Sequence, residues 1–109
     1  MSAKPAETSG REQVVAKVQA WLADNIPRFL TNRALDVTRL REAAQKGDFE
    51  TMRLVGHNLK GVGSGYGFVP ITVLGQGIEA AARARDALAV QALTDGLDEY
   101  LRQVRVVSE

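Results

Sequence analysis

A chain of 109 residues, 45% apolar and 25% charged, has the size and make-up of one globular domain with a single core. Fourteen Lys and Arg against thirteen Asp and Glu leave a net charge of +1, so the overall balance gives no reason to expect nucleic acid or an anionic membrane as a partner. The absence of cysteine excludes disulfides, thiolate zinc sites and cysteine nucleophiles, and fits a reducing cytosol.

Met1 to Gly10 is polar and lacks the apolar centre of a secretory signal; it reads as a flexible tail ahead of one helical domain over residues 11–109. No apolar run approaches the ~18 to 20 residues a bilayer span needs, so the expectation is a soluble, cytoplasmic protein. From residue 11 onward Ala, Leu, Arg, Glu and Gln dominate, which favours helix, and no period-two strand stands out. Val14, Val15, Val18, Trp21 and Leu22 recur at helical spacing and predict a first helix from Arg11 to about Asn25.

Pro27 either opens the next helix near its first turn, where its missing N–H costs nothing, or kinks a longer one. That helix, to Lys46, carries Phe29, Leu30, Val37, Leu40 and Ala44 on one stripe, and Gly47 ends it. Asp48 is placed to cap a third helix with Phe49, Met52, Val55, Leu59 and Val62 inward. Pro70 reopens helix after a break at Gly65 to Phe68, with Ile71, Leu74, Ile78 and Ala81 or Ala82 inward. Asp86 marks the boundary of a last helix, from about Ala87 to Val106, with Leu88, Leu93, Leu97, Tyr100 or Leu101, and Val104 inward. Amphipathic helices joined by short turns must bury their stripes against one another. The expected fold is therefore all-α, an up-down four-helix bundle with an additional N-terminal helix.

The single histidine, His57, heads the run His57-Asn58-Leu59-Lys60-Gly61-Val62-Gly63-Ser64-Gly65-Tyr66-Gly67. Positions 53, 57, 60, 61 and 64 share one helical face, away from the apolar stripe, so Arg53, His57, Lys60, Gly61 and Ser64 form an exposed group. A neutral imidazole has a ring nitrogen able to attack phosphorus, and a lysine one turn on can offset charge on phosphoryl oxygens. Gly61 and Ser64 leave room for another protein to reach the ring. The glycines do not make a nucleotide loop: Lys60 precedes them, the Gly-x-Gly-x-x-Gly spacing is missed, and no strand leads in, so no ATP site is expected. One histidine without cysteine or a carboxylate pair predicts no metal site. Arg28, Arg33, Arg39 and Arg41 share one helix, but acidic residues elsewhere nearly balance them, and nucleic acid is not expected.

With a histidine, a lysine three residues on, a glycine directly after it and another six further, His57, Lys60, Gly61 and Gly67 resemble the signature of the histidine-containing phosphotransfer domain of bacterial phosphorelays. Gly47-Asp48-Phe49 resembles the family's turn before the histidine helix, and Leu74-Gly75-Gln76 with Ile78-Glu79 its next helix; coverage runs from about residue 20 to residue 105. The resemblance implies a phosphoryl group carried on the remote ring nitrogen of His57, received from a receiver-domain aspartate and passed to another receiver in a two-component system. It implies partners that are response-regulator receivers and a hybrid sensor histidine kinase. Magnesium is then held by the receiver, and this chain is a monomeric phosphocarrier rather than an enzyme, with no cofactor of its own. It places Glu79 where it could orient His57, and bottom-up chemistry agrees: a carboxylate on the near nitrogen fixes the tautomer. Alternatively Glu79 is a solvated charge paired with Arg83. Arg53, Gly61, Ser64 and Gly67 are the expected partner-binding positions. The rival reading is a noncatalytic helical module that docks a partner without phosphotransfer.

Overall fold

The computed structural model describes residues 14–108. The expected tail, Met1 to Gly10, lies outside them. The described chain is mostly helical: strand β1 (Val14–Val18), a 3-10 helix (Ala20–Asn25), helices α1 (Ile26–Lys46), α2 (Phe49–Gly63), α3 (Val69–Arg83) and α4 (Ala87–Gln103), and strand β2 (Val104–Ser108).

The local signals act where the sequence places them. Pro27 sits in the first turn of α1 and Pro70 in that of α3. Gly47 adopts φ +67°, and the amides of Gly47 and Asp48 bond the carbonyls of Ala44 and Ala43, a pair of bonds that closes α1 and needs a residue tolerant of the left-handed region. Asp48 accepts from the Thr51 amide at 3.1 Å and from its hydroxyl at 2.6 Å, capping α2. Asp86 does the same for α4 through Ala89 N at 3.0 Å.

Two expectations need correction. Where a first helix was expected over Arg11 to Asn25, residues 14–18 are a strand and residues 20–25 a 3-10 helix. α4 stops at Gln103, and Val104 turns to extended backbone instead of continuing the helix to Val106. The two strands pair in parallel, Val14 opposite Val104 through Val18 opposite Ser108. The physical reason is composition: Val-Val-Ala-Lys-Val and Val-Arg-Val-Val-Ser are each mostly valine, which is β-branched and stiff at χ1 and suits a pleated pair better than a helix. Period-two alternation follows in β1, with Ala16 and Val18 buried and Val15 exposed.

Each helix packs on its neighbours in chain order, α2 most extensively on α3, and α1 also contacts α4. The core between them contains Leu40, Met52, Leu59, Phe68, Ile71, Ile78, Val90 and Leu97, all fully or nearly fully buried. Phe29 stacks on Tyr66 and Phe68 at 4.3 and 5.1 Å between ring centres, joining α1 to the turn after α2. Four residues of the expected stripes lie elsewhere: Val15 is 44% exposed, Trp21 is 75% exposed, Leu88 is 78% exposed, and Ala43 rather than Ala44 is buried on α1. Leu88 is five residues before Leu93, a rotation that takes it off the inward face that Val90, Thr94 and Leu97 define.

The α2–α3 contact sets up everything below. A Cβ built on Gly56 would fall 2.6 Å from the Glu79 nitrogen, one on Gly63 2.5 Å from the Thr72 nitrogen, and one on Gly75 2.4 Å from the Lys60 nitrogen. Glycine at these positions lets the two backbones approach, and the approach brings the side chains of α3 under those of α2.

Candidate functional site

His57 lies on the outer face of α2 with its side chain 59% exposed, whereas Glu79, beneath it on α3, is only 7% exposed. Nδ1 of the imidazole is 3.1 Å from Glu79 Oε2. An ionised carboxylate only accepts hydrogen bonds, so Nδ1 carries a proton and donates it, and in the neutral tautomer this selects it is Nε2 that keeps the lone pair. Glu79 has two further partners: Lys60 Nζ donates to Oε1 at 2.8 Å and Arg83 Nη2 to Oε2 at 3.0 Å.

These contacts keep the carboxylate charged despite its burial. The hydrogen bond from Lys60, above all, takes its pKa from 4.5 down to about 2; burial pushes upward, and the His57 bond and the charges of Lys60 and Arg83 push further down. Glu79 thus contacts both the ring and Arg83, two partnerships that the sequence presented as alternatives. An open hollow of about 240 Å³ beside it is lined by Lys60, Gln76, Glu79, Ala80 and Arg83. A larger hollow, about 290 Å³, lies between α1 and α4 and has Leu40, Arg41 and Thr94, but not His57, among its lining residues.

The other expected site residues divide. Gly61 is exposed, and a Cβ built on it meets no atom within 4 Å, so nothing inside the fold requires glycine there by contact. Ser64 is exposed at the end of α2 but engaged: its amide donates to Thr72 Oγ1 at 2.8 Å, with its own hydroxyl 3.1 Å away. Arg53 turns to Glu50, bonding it through Nε at 3.1 Å and Nη2 at 2.7 Å, and makes no bond to His57. Gly67 is a turn residue at φ +92°, packed so closely on β1 that a Cβ would fall 2.6 Å from the Lys17 carbonyl oxygen.

Thr72 was not singled out from sequence. Its hydroxyl donates to the Lys60 carbonyl at 3.0 Å and accepts from Ser64, using its one hydrogen and both lone pairs to fix the last turn of α2. Gly56 was also missed. The available signal was its seven-residue spacing to Gly63, which puts both glycines on the buried side of α2.

Among the described residues no group of three or more His, Cys, Asp or Glu could hold a metal ion, and no helix is long and apolar enough to cross a membrane. Comparison of the chain with protein-family models, with curated proteins and with solved structures gives no match.

Proposed function

We propose that this chain is a histidine phosphotransfer module that accepts a phosphoryl group on Nε2 of His57 from a receiver-domain aspartate and passes it to another receiver. The observation that carries this reading is the pairing of Nδ1 with a buried, ionised Glu79 while the rest of the ring faces solvent beside the unobstructed Gly61.

The Nε2 lone pair attacks phosphorus, the bond from phosphorus to the aspartate oxygen breaks, and the aspartate leaves with that electron pair. No proton need move. Nδ1 keeps its hydrogen, the ring becomes imidazolium-like, and the adjacent Glu79 carboxylate offsets the charge that appears on it. Lys60, three residues from His57 on the same helix, is within one side chain's swing of the phosphoryl oxygens. The receiver brings the aspartyl phosphate and its magnesium ion; this chain brings the nucleophile and its support. On this reading the cyclic contact order of α1 to α4 is an up-down four-helix bundle, the terminal strand pair standing where an additional helix was expected, and the protein acts as a cytoplasmic monomer between a sensor kinase and its receivers.

Incubation with a phosphorylated receiver should give an acid-labile, base-stable label on the wild-type chain and none on His57→Gln. A wild-type chain left unlabelled by a broad panel of receivers would instead favour a docking module that binds without transfer.

A further inference from the structure

Glu79 holds two permanent cations, and they stand on different helices. Lys60 belongs to α2, the helix of His57, and bonds Oε1; Arg83 belongs to α3, one turn beyond Glu79 itself, and bonds Oε2, the oxygen that also accepts from Nδ1. With a neutral ring, Lys60, Arg83 and Glu79 together carry one net positive charge. A transferred phosphoryl adds one net negative charge to the group, so the phosphorylated site closes to neutrality only if both cations are present.

In the unphosphorylated protein Lys60 is occupied by Glu79. To meet a phosphoryl group on Nε2 it must leave Oε1, and a carboxylate as buried as Glu79 is costly to leave without a counter-ion. We propose, resting on the phosphotransfer reading above, that Arg83 is a positioning residue for that transfer: it remains as the counter-ion of Glu79 when Lys60 turns from Oε1 to the phosphoryl oxygens. Glu79 then stays ionised and stays on Nδ1. The division of labour follows from attachment: Lys60 moves with the helix that carries the nucleophile, while Arg83 is tied to Glu79 at the i, i+4 spacing of its own helix. The groups facing Glu79 are His57 and Lys60 from α2 and Arg83 from α3, with the charge of Arg53 felt at longer range.

The test is single-turnover transfer from a phosphorylated receiver to wild type, Arg83→Ala and Arg83→Lys, each over a range of donor concentration and pH. The Arg83 side chain is 62% exposed, so the variants should fold, which thermal melts verify. Arg83→Ala should lower the maximal rate about fivefold, the size expected for one solvent-accessible charged contact at the upper end of its range, with the half-saturating donor concentration nearly unchanged. Its rate should also decline toward acid pH before that of wild type, and Arg83→Lys should recover most of the loss. A wild-type maximal rate in Arg83→Ala, a loss confined to donor affinity, or no recovery in Arg83→Lys would overturn the role of Arg83 while leaving the phosphotransfer reading intact. A wild-type chain that takes no label overturns both.

Discussion

Gly56, the residue before the histidine, packs against the backbone of Glu79, the residue that holds the imidazole: a Cβ on Gly56 would fall 2.6 Å from the Glu79 nitrogen and 3.0 Å from the Gly75 carbonyl oxygen. The 3.1 Å contact between Nδ1 and Oε2 therefore rests on the separation of two helix backbones, which Gly56, Gly63 and Gly75 set. Gly56→Ala must push α2 from α3. Against backbone atoms there is no flexible side chain to yield, so the variant should lose about 1 to 3 kcal/mol of stability, as over-packed sites do. Urea denaturation measures this, and a stability equal to wild type would show that the interface is softer than its spacing implies.

Gly61 should behave in the opposite way. It is helical and exposed, with open space where a Cβ would go, so Gly61→Ala should stabilise the fold by about 0.5 to 1 kcal/mol through reduced freedom of the unfolded chain. Gly61→Gln should keep the fold as well, yet on the proposed function slow phosphotransfer by about tenfold or more, because the longer side chain fills the open space beside His57 through which a receiver would approach. Melting temperature and transfer rate, measured on the same preparations, separate the two properties. A stable Gly61→Gln variant that transfers at the wild-type rate would remove the case for clearance at this position.

The contrast between these glycines marks what sequence alone conveys. Caps and breaks are local chemistry, and Pro27, Gly47, Asp48, Pro70 and Asp86 all stand at helix ends in the structure. The exposed face of His57, Lys60 and Gly61 was likewise legible, since helical spacing fixes which residues share a side. The strands were not. Val14 and Val104 pair across almost the whole chain, and neither segment shows from its own residues that the other exists. Nor could spacing tell Gly61 from Gly63, two residues apart, one open and the other against Thr72; that depends on where α3 lies. Glu79 was foreseen as either an orienter of the ring or a solvated partner of Arg83; that it is buried and contacts His57, Lys60 and Arg83 together depends on where α3 packs.

Acid should expose the contribution of Glu79 to stability. Its pKa is about 2 in the fold against 4.5 as its ordinary value, so the folded state binds this proton less readily than the unfolded state. The resulting stabilisation is present in full above the ordinary value and declines as pH falls from there toward the folded value. Glu79→Gln lacks this titration. The stability gap between wild type and Glu79→Gln should therefore be widest near neutrality and shrink progressively below about pH 4.5. Denaturant midpoints of both proteins across that range provide the check; a gap independent of pH would mean that the carboxylate charge does not couple to folding.

The terminal strand pair gives the sharpest disagreement between local pattern and structure, and one exposed residue can decide it. Val15 lies on the outer face of β1, where substitution removes little packing. In a helix, alanine is favoured over valine because valine loses χ1 freedom against the preceding turn. In a strand the preference reverses, within a scale that spans about 1 kcal/mol. Because residues 14–18 are extended, Val15→Ala should destabilise the protein by about 0.5 kcal/mol, where a helix would give the opposite sign. Val18→Ala serves as the companion: Val18 is buried in β1, so its loss should cost more, about 1 to 3 kcal/mol for the methyl groups removed and the space left behind. Equilibrium unfolding of the two variants against wild type reads both effects, and a stabilised Val15→Ala protein would return this segment to the helix that its spacing suggests.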